Sequence, residues 1–471
     1  QVNLTLEVGQ IAEVVEVTAG AGVELQTLDA TVGTTIGGEQ LLRLPTINRS
    51  SIALFTLQPT VQPHRGVGVN FGGQVAGARS DQSTFNLDGA DATDLVAGTS
   101  NYTAGAIDWV GPTPMIPVPA ESIEEFRVGT TNPNATFGRS AGGQVSLVTK
   151  RGTNELHGSA YWYHQNDQLN ANRWEFNRVG IKEPELKDNR FGFSVGGPIV
   201  RDRTFIFGHY EGRRLPQSVS VLRMVPTATL RQGILRFRDA AGNVVSYNVK
   251  DFDPRGIGMS PVVRELWNRL PEGNDPTVGD GLNTIGFRAA ARAPLTMDFA
   301  VVRLDHHFNP NWRFYGTYRY SSQEVLDVTQ LDIAGIVKGN PRGQAIPTAS
   351  TPVEPRFVSA RLTGQITPTL VNEFIFGFAR NWWAYKRVAP FPQVPGTSGA
   401  LMIALGDLDQ GIDVDTQRAR SRVWKDHVWQ FGDNVTWTKG SHTLQFGGTW
   451  RRMPVFHQRD DKVIGSLTSL V

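Results

Sequence analysis

Cysteine is absent from the 471 residues, which removes disulfides, thiolate metal sites and cysteine nucleophiles together. The absence leaves the compartment open, because an oxidising periplasm permits disulfides without requiring them. No run approaches the roughly 20 consecutive apolar residues that a spanning helix needs, so a helical membrane protein is excluded. Charge of one sign never gathers into a block. The 46 Lys+Arg stand against 44 Asp+Glu, a formal net charge of +2, and nucleic acid is not a favoured partner. Gln1 to Thr5 carry no basic stretch followed by an apolar run, so a leader peptide is expected to be cleaved or to lie upstream. What is plentiful is Gly, at 50, and Pro, at 27. Together they make about a sixth of the chain, against about 12% in average usage, which suits a turn-rich β protein.

Residues 1–18 read as short alternating β segments that end near a flexible joint at Gly20 to Gly22. Residues 39–150 have another texture. They offer a short helix from Arg49 to Leu57 with Ser50 or Ser51 as cap, a glycine-rich run, a tight turn at Asp88-Gly89 and a Pro-rich extended connector. The stretch AESIEEFRVGT reads as a helical turn near Glu121–Ser122 running into a strand. These pieces make a mixed α/β globule.

From Glu155 onward, segments of about ten residues alternate apolar with polar, the signature of a two-faced strand. In 312–321 one face carries Trp312, Phe314, Gly316, Tyr318 and Tyr320, and the other Arg313, Tyr315, Thr317, Arg319 and Ser321. The stretches 357–366 and 443–451 repeat the arrangement. About nine such strands are expected, near 156–165, 190–199, 204–213, 297–308, 312–323, 354–367, 370–384, 423–438 and 441–453. Short turns at 201–203, 309–311, 367–369 and 439–440 alternate with long polar loops at 166–189, 214–296, 324–353 and 385–422. That alternation is what an up-and-down transmembrane barrel produces, with tight periplasmic turns and extended external loops. Trp162, Trp312, Trp382, Trp383, Trp424, Trp437 and Trp450 fall near strand ends, where a membrane interface holds amphipathic rings. In 423–438, Asp433 shares the parity of Trp429, Phe431 and Trp437, and a bulge near Gly432 would reset the alternation.

Reactive chemistry finds little support. The run Gly66 to Gly77 lacks the strand, helix and Gly-Lys-Ser/Thr context of a phosphate cradle and reads as a packed loop. Asp88, Asp91 and Asp94 recur at every third position, which falls short of a calcium loop and reads as a polar turn. His306 and His307 point to opposite sides of a strand and cannot share a metal from it. No nucleophile elbow is present. We therefore expect no enzyme, no catalytic residues, no cofactor and no metal.

One segment, IPVPAESIEEFRVGTTNPNATFGRSAGGQVSLVTKRGTNELHGSAYWY at 116–163, resembles the end of the plug and the first barrel strand of TonB-dependent outer-membrane receptors. The variant is the Oar-like one, which carries an N-terminal carboxypeptidase-regulatory-like domain. LLRLPTINRSSIALFTLQPTV at 41–61, RSDQSTFNLDGADATD at 79–94 and GGPIVRDRTFIFGHYEGRR at 196–214 match in the same order. The resemblance implies a mainly β fold: a transmembrane antiparallel β-barrel, partial here, with an N-terminal α/β plug domain. It implies the end of a regulatory-like domain and a possible TonB box in 1–20, the plug in 21–154 and the first part of the barrel in 155–471. Such a plugged barrel has about 22 strands, so about thirteen more are expected beyond Val471.

Further implications follow from the same resemblance. The location is the outer membrane of a Gram-negative-type bacterium, and the partners are membrane lipid, a TonB-type energising protein and an extracellular ligand of unknown class. A TonB box pairs by strand addition, and EVVEVTA at 13–19 is its positional match, with Val14, Val15, Glu16, Val17 and Thr18 as coupling candidates. The last strand of the preceding domain is the alternative reading of that segment. Arg139, Gly142 and Gly143 are candidates for plug-to-barrel fit, and ligand-binding residues are unknown. The implied function is energised transport through a plugged barrel. A surface adhesion or assembly protein anchored by its barrel, or a protein-export channel, is the alternative.

Overall fold

The computed structural model describes residues 32–44, 54–55, 58–62, 74–78, 82–93, 114–132, 138, 141–328, 330–387, 403–405, 422–459 and 467–469. The coupling candidates Val14 to Thr18, Asp94, Arg139 and most of the helix expected over 49–57 lie outside the described residues.

The first body is a five-stranded sheet of β1 (Val32–Gly37), β2 (Thr84–Leu87), β3 (Ala90–Asp91), β4 (Ile123–Thr131) and β5 (Gln144–Thr149), in the order β1-β4-β5-β2-β3. β2 and β5 run parallel and the other pairs antiparallel. Ile123, Phe126, Val128, Val145 and Leu147 of β4 and β5 are buried against the rest of this body. As the sequence suggests, Ala120–Ser122 form one helical turn that leads into β4. Asp88 and Gly89 join β2 to β3 with φ of 49° and 83°. A two-residue hairpin with both φ positive is what Asp-Gly favours.

The second body is one antiparallel sheet. Its strands are β6 (His157–Asn166), β7 (Lys187–Val200) and β8 (Thr204–Leu215), then β11 (Leu295–Asn309), β12 (Trp312–Leu326), β13 (Arg356–Thr367), β14 (Leu370–Arg387), β15 (Arg422–Lys439) and β16 (His442–Arg452). Between β8 and β11 stand β9 (Ser218–Pro226) and β10 (Thr284–Arg292), which pair with each other. The sheet has eleven segments. Ala349–Val353 continues into β13 past Glu354-Pro355, and Val455–Arg459 continues β16 past Met453-Pro454. Proline has no N–H for the ladder, and joining these two pairs leaves nine barrel strands, each overlapping an expected one.

The tight turns at 201–203, 310–311, 368–369 and 440–441 all fall at one end of the sheet, and the long connections all fall at the other. Alternation along the strands sorts residues by face. Ile206, Val302, Leu304, Tyr318, Phe374, Trp429, Phe431, Phe446 and Trp450 are exposed on the outside, while His209, Glu211, Arg303, Thr317, Arg319 and Ser359 are buried on the inside.

Three expectations need correcting. The β14–β15 register runs unbroken from Leu370↔Trp437 to Tyr385↔Arg422, so no bulge forms near Gly432. Asp433 stays on the outer face and accepts a hydrogen bond from Asn372 Nδ2 at 2.8 Å. Trp383 and Trp424 do not sit at a lipid interface. They stack at 3.6 Å and 8° in a buried cluster with Val353 and Tyr385, because their parity turns them inward. Finally, the connection from β8 to β11 is not a loose polar loop. Val221, Val225, Trp267, Leu270 and Phe287 from it pack with Leu331, Ile333, Ala334 and Ala345 from the β12–β13 connection, giving the outer side a folded head with its own core.

Candidate functional site

The site begins with Thr149, the last residue of β5, which is fully buried. Its N–H donates to Asp88 Oδ1 at 2.7 Å, and its hydroxyl donates to Asp88 Oδ2. Two barrel arginines close on the same residue. Arg303 Nη1 donates to the Thr149 carbonyl at 2.6 Å, and Arg319 Nη2 donates to its Oγ1. Arg303 is held in turn by Asp305, whose Oδ1 accepts from Nη2 at 2.8 Å and whose Oδ2 accepts from Nε at 2.9 Å. Arg319 is wholly buried and lies over the Phe299 ring at 5.9 Å. A guanidinium removed from water at such a cost is stable only with anionic or strongly polar neighbours. Here the hydroxyl of Thr149 relays it to the Asp88 carboxylate.

From Asp88 the β2–β3 turn crosses the barrel wall, meeting successive strands. Tyr315 of β12 donates its hydroxyl to the Asp88 carbonyl at 2.9 Å. Gly89 faces Arg361 of β13 so closely that a Cβ would collide with the guanidinium. Ala90 faces Gly377 of β14, where an added Cβ would come within 2.7 Å of the Ala90 methyl. The Asp91 N–H donates to Gln430 Oε1 of β15 at 3.0 Å, and Arg451 of β16 places Nη1 3.5 Å from Asp91 Oδ2. Adjacent strands lie about 4.8 Å apart and consecutive Cα atoms about 3.8 Å, so a short turn laid across the strands can touch a new one at nearly every residue. Thr317, Ser359, Gly377, Gln430 and Arg451 form one register row beneath it. The small residues in that row make the space.

One ring between two guanidiniums and an apolar patch complete the seat. Arg303 and Arg361 flank Tyr315 at 4.6 and 5.6 Å from its centroid, an attraction of guanidinium for the ring face. Arg361 also pairs with Glu373 at 3.0 Å. Below the turn, Phe207, Phe299, Val301, Phe357, Ala379 and Val428 of the barrel share one hydrophobic core with the plug. A second inward cluster lies toward β6. Tyr161 donates to Glu211 Oε2 at 2.8 Å and sits 3.0 Å from His209 Nε2.

The atoms nearest to Gly142 and Gly143 come from the plug. A Cβ on Gly142 would meet Ser83 and Gln82, and one on Gly143 would meet Val75 and Phe55. All four of these neighbours belong to the plug. Asp88 to Asp91, Thr149 and the inward arginines carry polar contacts between plug and barrel. Sequence parity had placed Tyr315 and Arg319 on the wet face of their strand, but nothing local linked them to a turn more than 200 residues away.

A family model described as an outer membrane beta barrel domain matches residues 148–469. Over 222 residues the chain is 25% identical to the TonB-dependent transporter Oar of Myxococcus xanthus, a stretch covering 45% of this chain and 19% of that protein. Among solved structures, the outer membrane transporter YddB from Escherichia coli matches with a TM-score of 0.56 and 12% identity, covering 91% of this chain and 49% of that one. The siderophore receptor PirA from Acinetobacter baumannii matches with a TM-score of 0.52 and 14% identity, covering 89% and 48%. The likeness to the two structures establishes the fold. The chain spans about half the length of those solved relatives, and the relatives are transporters and receptors, not enzymes.

Proposed function

The chain belongs to the outer membrane beta barrel domain family, and from that premise we propose that it is the plug and leading barrel strands of an energised transport receptor. Its place is the outer membrane of a Gram-negative-type cell, with the outward apolar face in lipid. In this reading the outer connections capture a ligand, the plug closes the lumen, and a pull on the segment Val14 to Thr18 frees the plug from its wall.

The observation that supports it is the seat of the Asp88–Asp91 turn. It crosses β12 to β16 through hydrogen bonds, one ion pair and close glycine contacts. Such contacts are individually worth about 0.5–3 kcal/mol, strong enough together to hold a closed plug and separable one at a time under load. A pull along the plug would break them in sequence.

The test is binding of the periplasmic domain of a TonB-type protein to the purified receptor, measured by calorimetry. Val15→Pro and Val17→Pro each remove strand-pairing capacity, and at least a tenfold loss of affinity is expected. Binding that is absent, or unchanged in both variants, would sink the coupling role. The folded head favours a second reading as a surface attachment protein, since it presents Phe237, Tyr247 and Phe252 to solvent. Attachment of cells would persist in both proline variants.

A further inference from the structure

Where the connections 167–186, 216–294 and 327–355 meet on the outer side, they enclose an open cavity of about 630 Å³. Ligand pockets usually span about 300–1,000 Å³. Its walls include Phe287, Ala289, Leu326, Ile346, Pro347 and Arg292, and no carboxylate lines it among the described residues. Arg288 also borders it, but that charge is committed. Its Nε and Nη2 donate to the buried Asp275 at 3.1 and 3.0 Å. The Arg292 side chain is exposed and has no hydrogen-bond or ion-pair partner among the described residues.

The walls are fixed before any ligand arrives. Asn274 exchanges two hydrogen bonds with the Arg288 backbone at 2.9 and 2.7 Å. Arg178 reaches from the first connection to Asp275 at 2.7 Å. On the opposite side the Asp332 carboxylate accepts from the N–H groups of Ala334, Ile336 and Val337 and from Asn340 Nδ2. Gly343 N–H then donates to the Ile333 carbonyl at 2.9 Å. A preformed, mostly apolar chamber with one uncommitted guanidinium calls for a particular chemistry.

We propose that this cavity binds an amphipathic monoanion: a carboxylate on an aliphatic or aromatic body. Arg292 meets the carboxylate, as planar guanidinium does in bidentate pairs, and the body lies against Phe287, Leu326 and Ile346. The assignment names the ligand class of the receptor proposed above and rests on that reading.

Calorimetric titration of the purified receptor in a neutral detergent, with 1-naphthylacetate and its uncharged amide as probes, tests it. The acid binds at least tenfold more tightly than the amide. Arg292→Gln removes that preference without changing affinity for the amide, and Leu326→Trp, which fills the chamber, weakens both. Equal affinity for the two probes, binding of neither, or a preference that survives Arg292→Gln overturns the assignment. The titration involves no energising partner, so a receptor that fails to bind the TonB-type domain can still pass this test, and the two failures are distinguishable.

Discussion

Gly89 carries the sharpest single-residue demand at the plug seat. Its φ of 83° lies where side chains with a Cβ cost about 1–2 kcal/mol, and a methyl there runs into Arg361. Gly89→Ala is therefore expected to open the seat about tenfold more often, which corresponds to about 1.4 kcal/mol. The lack of cysteine supplies the readout. Ala379 sits in the core that plug and barrel share and is 1% exposed, so the maleimide labelling rate of Ala379→Cys reports opening. An unchanged rate on adding Gly89→Ala would remove the turn from the closing mechanism. The turn itself was legible in the sequence, because Asp-Gly specifies its shape. Its role was not, because the groups that give Asp88 and Asp91 a function come from strands far along the chain.

Elements divide in the same way. The barrel strands were legible because each is two-faced by itself, and period-2 alternation needs no partner to be seen. The folded head was not, since its core joins Trp267 and Phe287 of one connection to Leu331 and Ile333 of another, and neither set alone has enough apolar residues to signal a fold. The head is clamped to the first connection by Asp275, which accepts from Arg178, Arg288 and Thr277. Burial works to raise this carboxyl, but the hydrogen bonds from Thr277, Arg288 and Arg178 outweigh it and hold the pKa down to about 2. An unfolded aspartate titrates at about 3.9. The clamp thus contributes fully above about pH 4 and fades as pH falls toward about 2. Pepsin, active across that window, should cut the 167–186 connection with rising rate as pH drops from 4 to 2. Asp275→Asn should be cut readily at both ends, because removing one partner of a buried pair costs about 3–5 kcal/mol. A rate independent of pH in the parent protein would contradict the clamp.

At the scale of the whole molecule, the arrangement is inverted relative to a protein dissolved in water. Rings gather on the outer face, with Phe431 5.3 Å from Phe376 and 5.7 Å from Trp450 between centroids, while arginines are buried inside. Monomeric soluble proteins rarely expose apolar patches beyond a few hundred Å², and hydrocarbon contact removes that liability. Depth then becomes measurable. On a lipid-facing surface an arginine costs about 2–4 kcal/mol at the midplane and about 0–1 near the interface. Phe431 lies eight residues from the tight turn that begins after Lys439, whereas Leu444 lies two residues into β16. Both are exposed, so a water-facing sheet would tolerate arginine at either position about equally. In the receptor refolded into lipid vesicles, urea titration should show Phe431→Arg losing at least about 2 kcal/mol more stability than Leu444→Arg, by the midplane-to-interface difference. Equal losses would mean that this face does not meet a bilayer, and the transport reading would fall with it, since a plug only matters where the surrounding wall separates two compartments.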